Sequence, residues 1–132
     1  MAKFVTREIG VGADVIAPDG SEVRLLVATE RGSMAHFRLA AGVVSKAVRH
    51  RSVEEVWFIT GGEGLMWLRS SEAEATVPLA ASVSLSIPVG DTFQFRATGD
   101  SALEAVAVTM PPWPGPEEAE SAEACGKRRS RR

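Results

Sequence analysis

Along the first 110 residues, apolar side chains recur in runs of five to seven positions, and turn-forming residues close each run. The dominant period is two, that of a strand whose side chains point alternately to opposite faces. It predicts strands over residues 23–27, 34–39, 43–49, 56–60, 65–69, 83–87, 93–97 and 103–108. Pro18-Asp19-Gly20-Ser21, Glu30-Arg31-Gly32-Ser33, Gly61-Gly62, Pro88-Val89-Gly90 and Gly99-Asp100 punctuate them, because glycine admits positive φ and proline presets a turn. No segment carries an apolar stripe of helical period and length. Short strands with regular turns predict an all-β sandwich or closed barrel, in which edge strands find partners.

After Met110 the texture changes. Pro111-Pro112-Trp113-Pro114-Gly115-Pro116 cannot join a central strand, since proline lacks the N–H donor. It is expected to run extended over the barrel with Trp113 as an anchor. From Glu117 the chain is acidic and alanine-rich, then ends Lys127-Arg128-Arg129-Ser130-Arg131-Arg132. A stretch so poor in apolar residues does not offset its ordering entropy. The expected barrel domain is therefore residues 1–116, with 117–132 a disordered acidic-then-basic tail.

Composition narrows the classes. At 132 residues the chain is one domain's worth, enough for one modest core. A formal net charge of -2 gives no general attraction to nucleic acid or an anionic membrane. No apolar run approaches the roughly 20 residues of a membrane-spanning helix. Cys125 is the one cysteine, so no intramolecular disulfide forms. Together with an N-terminus lacking a signal-peptide pattern, this makes a cytoplasmic location the expectation.

Two ordered motifs carry a family resemblance. The first reads Gly42, five residues, Val48, Arg49, His50, four residues, Glu55, six residues, Gly62. The second reads Ser82, five residues, Pro88, Val89, Gly90, two residues, Phe93, three residues, Ala97. This spacing resembles the paired motifs of the cupins, with Val48 and Phe93 where that family has histidines. Ser82 and Ala97 stand in place of its glycine and asparagine. The stretch from Val48 to Trp67 and the phrase Thr109-Met110-Pro111-Pro112-Trp113-Pro114-Gly115 look like a set of small bacterial cupin-domain proteins. The resemblance implies a double-stranded β-helix, or jelly-roll barrel, and pairing of sheets in a homodimer.

Cupin metal sites use three histidines and a glutamate. The resemblance maps two of those four positions onto His50 and Glu55 and the other two onto Val48 and Phe93. Catalytic metal sites keep at least three protein ligands, so no metal and no other cofactor is expected. Any residual metal would rest on His50 and Glu55. Strand alternation from these positions places Val44, Lys46, Val48 and His50 inside, followed by Glu55, Trp57 and Ile59, then Phe93, Phe95 and Ala97. The expected pocket is thus Lys46, Val48, Trp57, Ile59, Phe93, Phe95 and Ala97 around a His50–Glu55 pair. That lining suits a small, largely apolar organic molecule.

A buried glutamate is raised in pKa, whereas an imidazolium beside it opposes the shift. Such a pair is equipment for general acid–base work, and the expected activity is a cofactor-independent isomerase, cyclase or lyase with His50 and Glu55 as catalytic residues. The alternatives are a non-catalytic binding or sensing module, in which the pair satisfies the core, and a metal enzyme with an atypical ligand set. His36 is expected on the outer or inter-subunit face with Met34 and Arg38. Arg49 and Arg51 have the parity of a solvated or interface face. Gly61-Gly62-Glu63-Gly64 lacks the lysine and helix of a phosphate loop and reads as a hairpin turn.

Overall fold

The computed structural model describes residues 4–125. The basic end of the expected tail, from residue 126, lies outside the described residues. Eleven strands follow in order: β1 (Val15–Ile16), β2 (Glu22–Ala28), β3 (Ser33–Leu39), β4 (Val48–His50), β5 (Glu54–Gly61), β6 (Glu63–Arg69), β7 (Glu74–Ala80), β8 (Ser84–Ile87), β9 (Thr92–Ala97), β10 (Leu103–Met110) and β11 (Ala119–Ser121). Among the described residues a single 3-10 turn, Pro116–Glu118, precedes β11. The strands form two antiparallel sheets, β1-β2-β3-β10-β5-β8 and β11-β4-β9-β6-β7. All-β architecture is as the period-two pattern predicts.

One core lies between the sheets, and both supply it. Strand β10 alternates buried and half-buried along its length, turning Leu103, Ala105 and Ala107 inward. They meet Trp57, Ile59 and Leu39 of the same sheet and Val48, Phe93, Phe95, Met66 and Leu79 of the other. Alanines where β10 crosses the centre leave room for the larger rings opposite. Gly62 connects β5 to β6 at a φ of 78°, and a Cβ there would collide with the backbone of Ala102 and Leu103. Ser82 adopts a φ of 82° at the position where the family pattern has glycine, a conformation that glycine takes at lower cost.

Three departures from the sequence reading have physical causes. Strand β7 was absent from it because Pro78 and three small or acidic positions dilute the β signal. As the edge of the second sheet β7 tolerates a proline. The run 43–49 is strand only from Val48 onward. Val44 bridges Arg96 and Val48 pairs with Phe93, so four steps on one strand oppose three on the other. That extra residue is a bulge. Ser45 holds it closed, its N–H donating to the Phe95 carbonyl at 2.8 Å and its Oγ accepting from the Phe95 N–H at 3.0 Å.

The largest correction concerns the C-terminal segment. Residues 117–121 are not a disordered tail: β11 pairs with β4 through Ala119↔His50 and Ser121↔Val48. Glu118 is buried, its carboxylate accepting from Ser52 Oγ at 2.7 Å and from the N–H groups of Ser52 and Val53. Arg49 and Arg51 both pair with Glu120 at 3.0 and 2.6 Å. Backbone pairing and one carboxylate satisfied by a turn thus supply what apolar residues do not. Glu118→Ala should lower stability by about 2 kcal/mol or more, since it strips acceptors from buried donors. Thermal unfolding should show a Tm lower by roughly 5–10 °C, and an unchanged Tm would show that the segment is only loosely attached.

Candidate active site

Val48 and His50 lie on the inner face of β4, separated by exposed Arg49. Their neighbours across the ladder are Phe93 for Val48 and Ala119 for His50. Glu55 and Trp57 face the same interior from β5, where exposed and buried positions alternate strictly from Glu54 to Thr60. Phe93, Phe95 and Ala97 complete the interior from β9, and Ile59 and Ala97 are packed in the core below. Of the expected pocket residues, Lys46 does not belong. The bulge reverses the parity upstream of Val48, so Lys46 is exposed while Ser45 and Ala47 are buried.

The Glu55 carboxyl is buried and held by one oxygen, Oε1, which accepts from Trp57 Nε1 at 2.9 Å. The indole is itself fixed by stacking on Phe37 at 5.2 Å between ring centroids and by an edge contact with Phe95 at 5.1 Å. Burial pushes the Glu55 pKa up to about 7; the Trp57 bond opposes the shift and the nearby Asp19 carboxyl adds to it. Asp19 sits in the turn before β2 and is buried as well. Its Oδ1 accepts from Ser21 N–H at 2.9 Å and Ser21 Oγ at 2.7 Å. Burial raises its pKa, with the Ser21 bonds acting the other way.

His50 is enclosed by edge contacts with Phe93 at 5.2 Å and Trp113 at 5.1 Å. Trp113 is carried over it by the proline segment, whose Trp113 N–H donates to Ser33 Oγ at 2.9 Å. The Nδ1 atom of His50 is buried with no hydrogen-bond partner. Burial lowers its pKa to about 4, although Glu118 pulls upward. The Glu118 carboxylate stays below its usual range: burial raises it, but the bonds from Ser52 and Val53 and the imidazole outweigh that. His50 is therefore a neutral imidazole at neutral pH, and its electrostatic partner is Glu118.

The sequence reading singles out His50, Glu55, Val48 and Phe93, all buried, and does not single out Asp19 and Glu118. Asp19 was legible only as a turn residue, which its bond to Ser21 N–H also makes it. Nothing in the acidic run around Glu118 marks one carboxylate for burial. His36 does lie on the outer face, cross-strand from Val106. It is buried there, its Nε2 2.9 Å from Glu104.

A metal does not fit these residues. Val48 and Phe93 offer no donor atoms, and among the described residues no group of three or more His, Cys, Asp or Glu is arranged to hold an ion. On the outer face of the second sheet lies a groove of about 340 Å³, lined by Val44, Leu65, Trp67, Thr76, Gln94, Phe95, Arg96 and Cys125. It is separate from the Glu55 site.

No protein-family model matches the chain, and no curated protein matches it. Solved structures do. A Klebsiella pneumoniae protein with a double-stranded β-helix domain superposes with a TM-score of 0.66 at 15% identity, over 79% of this chain and 85% of the other. A variant of Streptomyces PAC13 with uridine gives 0.68 at 13% identity, over 98% of both chains. The capsular polysaccharide assembling protein CapF from Staphylococcus aureus gives 0.68 at 17% identity. The match covers 90% of this chain and only 33% of CapF. The interleaved sheets and these likenesses define the class: a small cupin-type domain, built as a double-stranded β-helix.

The two inner groups make opposite demands on pH. For His50, folded at about 4 against an ordinary 6.5, the unfolded chain binds the extra proton, so stability is lost as pH falls from 6.5 to 4. For Glu55, at about 7 against 4.5, the folded chain binds it, so stability is lost as pH rises from 4.5 through 7. The terms oppose each other up to pH 6.5, above which the Glu55 loss stands without that opposition. Thermal unfolding across pH should show Tm falling on the alkaline side of 6.5, and falling less in Glu55→Gln. Superimposable profiles would contradict this placement of Glu55.

Proposed function

We propose that the domain binds a small, largely apolar organic molecule inside the barrel and rearranges it by proton transfer through Glu55, as a metal-independent isomerase, cyclase or lyase. The observation that carries this reading is a buried carboxyl fixed through one oxygen by Trp57, in a barrel where Val48 and Phe93 stand at two positions that could otherwise bear ligands. A carboxyl near pH 7 is both a competent acid and a competent base. In its ionised form Glu55 removes a proton from a carbon or hydroxyl of the ligand. It returns that proton at a neighbouring atom for isomerisation, or to a departing oxygen for elimination. His50, neutral at that pH, supplies a hydrogen bond and no charge. General acid–base help of about 10² to 10⁴-fold is what such a group contributes. The uridine of the PAC13 neighbour supports a ligand of nucleoside size.

A binding or sensing role without turnover has one observation on its side: Nδ1 of His50 lacks the orienting partner that acid–base histidines usually have. Pairing of two copies also belongs to this proposal. The outer face of the first sheet exposes Val56 and Phe58, and the N-terminal arm exposes Phe4 and Val11, apolar surface that a second copy would cover.

Two variants test the reading on a compound found by thermal-shift screening. Glu55→Gln should reduce turnover by about 10²-fold or more while binding persists. Val48→His with Phe93→His should gain metal affinity and lose the native ligand. Val48→Ile with Phe93→Leu, which keep polarity and approximate volume, should be tolerated better. A double-histidine protein that works as well as its parent would show the apolar pair to be incidental, and binding with no turnover in any form would leave the sensing role.

A further inference from the structure

His50 and Glu55 are 6% and 3% exposed, so a molecule reaches them where part of the chain gives way. Most of the wall around them is held on two counts. Strands β3, β10, β5, β9 and β6 are each paired on both sides, and each puts an apolar side chain into the shared core: Leu39, Leu103, Ile59, Phe93 and Met66. Strand β11 differs. Among the described residues it is paired on one side alone, to β4, and Ala119 is its contribution to the core.

What holds the segment from Glu117 to Ala122 is polar. Ala119 and Ser121 pair with His50 and Val48. Ala122 N–H donates to the Ala47 carbonyl at 3.0 Å, and Arg51 N–H to the Glu118 carbonyl at 2.9 Å. Arg51 Nε donates to the Glu117 carbonyl at 2.7 Å, and Glu120 pairs with Arg49 and Arg51. One carboxylate is tucked in: Glu118 accepts from Ser52 Oγ and from the N–H groups of Ser52 and Val53. Segments that bury few apolar side chains open locally at lower free energy than the core strands.

Upstream the chain carries a joint. Pro111, Pro112, Pro114 and Pro116 have no N–H to give the barrel. Gly115, where the 3-10 turn begins, takes a φ of 146° that favours glycine. Under the segment lies His50, in edge contact with Trp113 at 5.1 Å and opposite Ala119. Its Nδ1 is buried without a partner, whereas buried polar atoms normally find one. The imidazole that the segment covers thus keeps an atom free for a ligand.

Resting on the reading of the barrel as a ligand site, we propose that the segment from Glu117 to Ala122 is a lid over the His50 side of the barrel, latched by Glu118, and that ligand passes when the latch releases Ser52 and Val53. Ala119 and Glu120 follow Glu118 directly, so the latch and the β4–β11 ladder open together. Strand β4 stays on the barrel through Val48↔Phe93 and Arg49↔Thr92. Glu118 is a positioning residue of this gate.

The two histidines test the lid, because each is 6% exposed while His36 lies on the outer face of the other sheet, on β3. Diethyl pyrocarbonate acylates neutral imidazole, and peptide mass mapping of the full chain reads both sites. Glu118→Gln removes the charge of the latch, and Glu120→Gln removes the outer pairs. The first should raise the rate at His50 by about tenfold or more and the second by about threefold, with His36 changed less than about twofold. In the parent protein the N–H groups of Arg51, Ser52, Val53 and Ala122 should exchange with deuterium at one common rate, faster than those of β10. An unmoved His50 rate, both histidines accelerating together, or lid amides exchanging no faster than β10 would overturn the proposal. Neither measurement needs the ligand. A lid that opens as expected in a protein that binds no small molecule would remove the ligand reading and leave the gate; turnover that depends on Glu55, with His50 unmoved in both variants, would do the reverse.

Discussion

Inside the barrel Val48 and Phe93 stand opposite one another across β4 and β9, both buried in the core that joins the two sheets. A valine and a phenyl ring at these positions supply no lone pairs and add apolar surface to the core. His50, Glu55 and Asp19 are buried polar groups of this region. Burial comes first among the causes that raise Glu55 and lower His50, and Phe93 is one of the two rings that enclose the imidazole. Phe93 thus contributes to the burial of His50, whereas Glu55 is held by Trp57.

The site is completed by parts of the chain that are distant in sequence. The segment after β10 brings Trp113 over His50 and then docks Glu118 into the turn that links β4 to β5. That turn carries the chain directly from His50 to Glu55, so satisfying its N–H groups fixes the spacing of both. Arg49 and Arg51, on the outward face of β4 and just beyond it, hold the same segment from outside through Glu120. The inward and outward faces of one short strand are thus bound to a single strap.

How much of this was legible depends on where the information sits. Alternation along β5, β9 and β10 fixed which residues face inward, and Trp57, Phe93 and Phe95 were placed from it alone. The placement of Lys46 failed because a bulge is a matter of pairing partners: only the Val44–Arg96 and Val48–Phe93 registers together reveal the extra residue. Glu118 and β11 were illegible because their stability comes from acceptors meeting a distant turn, and composition sees only an acidic run. Asp19 was read correctly as a turn residue and incompletely as a polar group of the interior. Local pattern shows the faces of strands, whereas closure of the barrel decides which loops reach its inside.

The central claim is that the interior holds a carboxyl able to exchange a proton near neutral pH. A ¹³C NMR titration of the Glu55 side-chain carboxyl, assigned by its loss in Glu55→Gln, tests it most directly. The account predicts a midpoint at about 7, accompanied by a shift of the Trp57 indole N–H that donates to the same oxygen. A midpoint at the ordinary 4.5 would contradict it, because the burial that raises the Glu55 carboxyl, on which the proposed acid–base role rests, would then not hold.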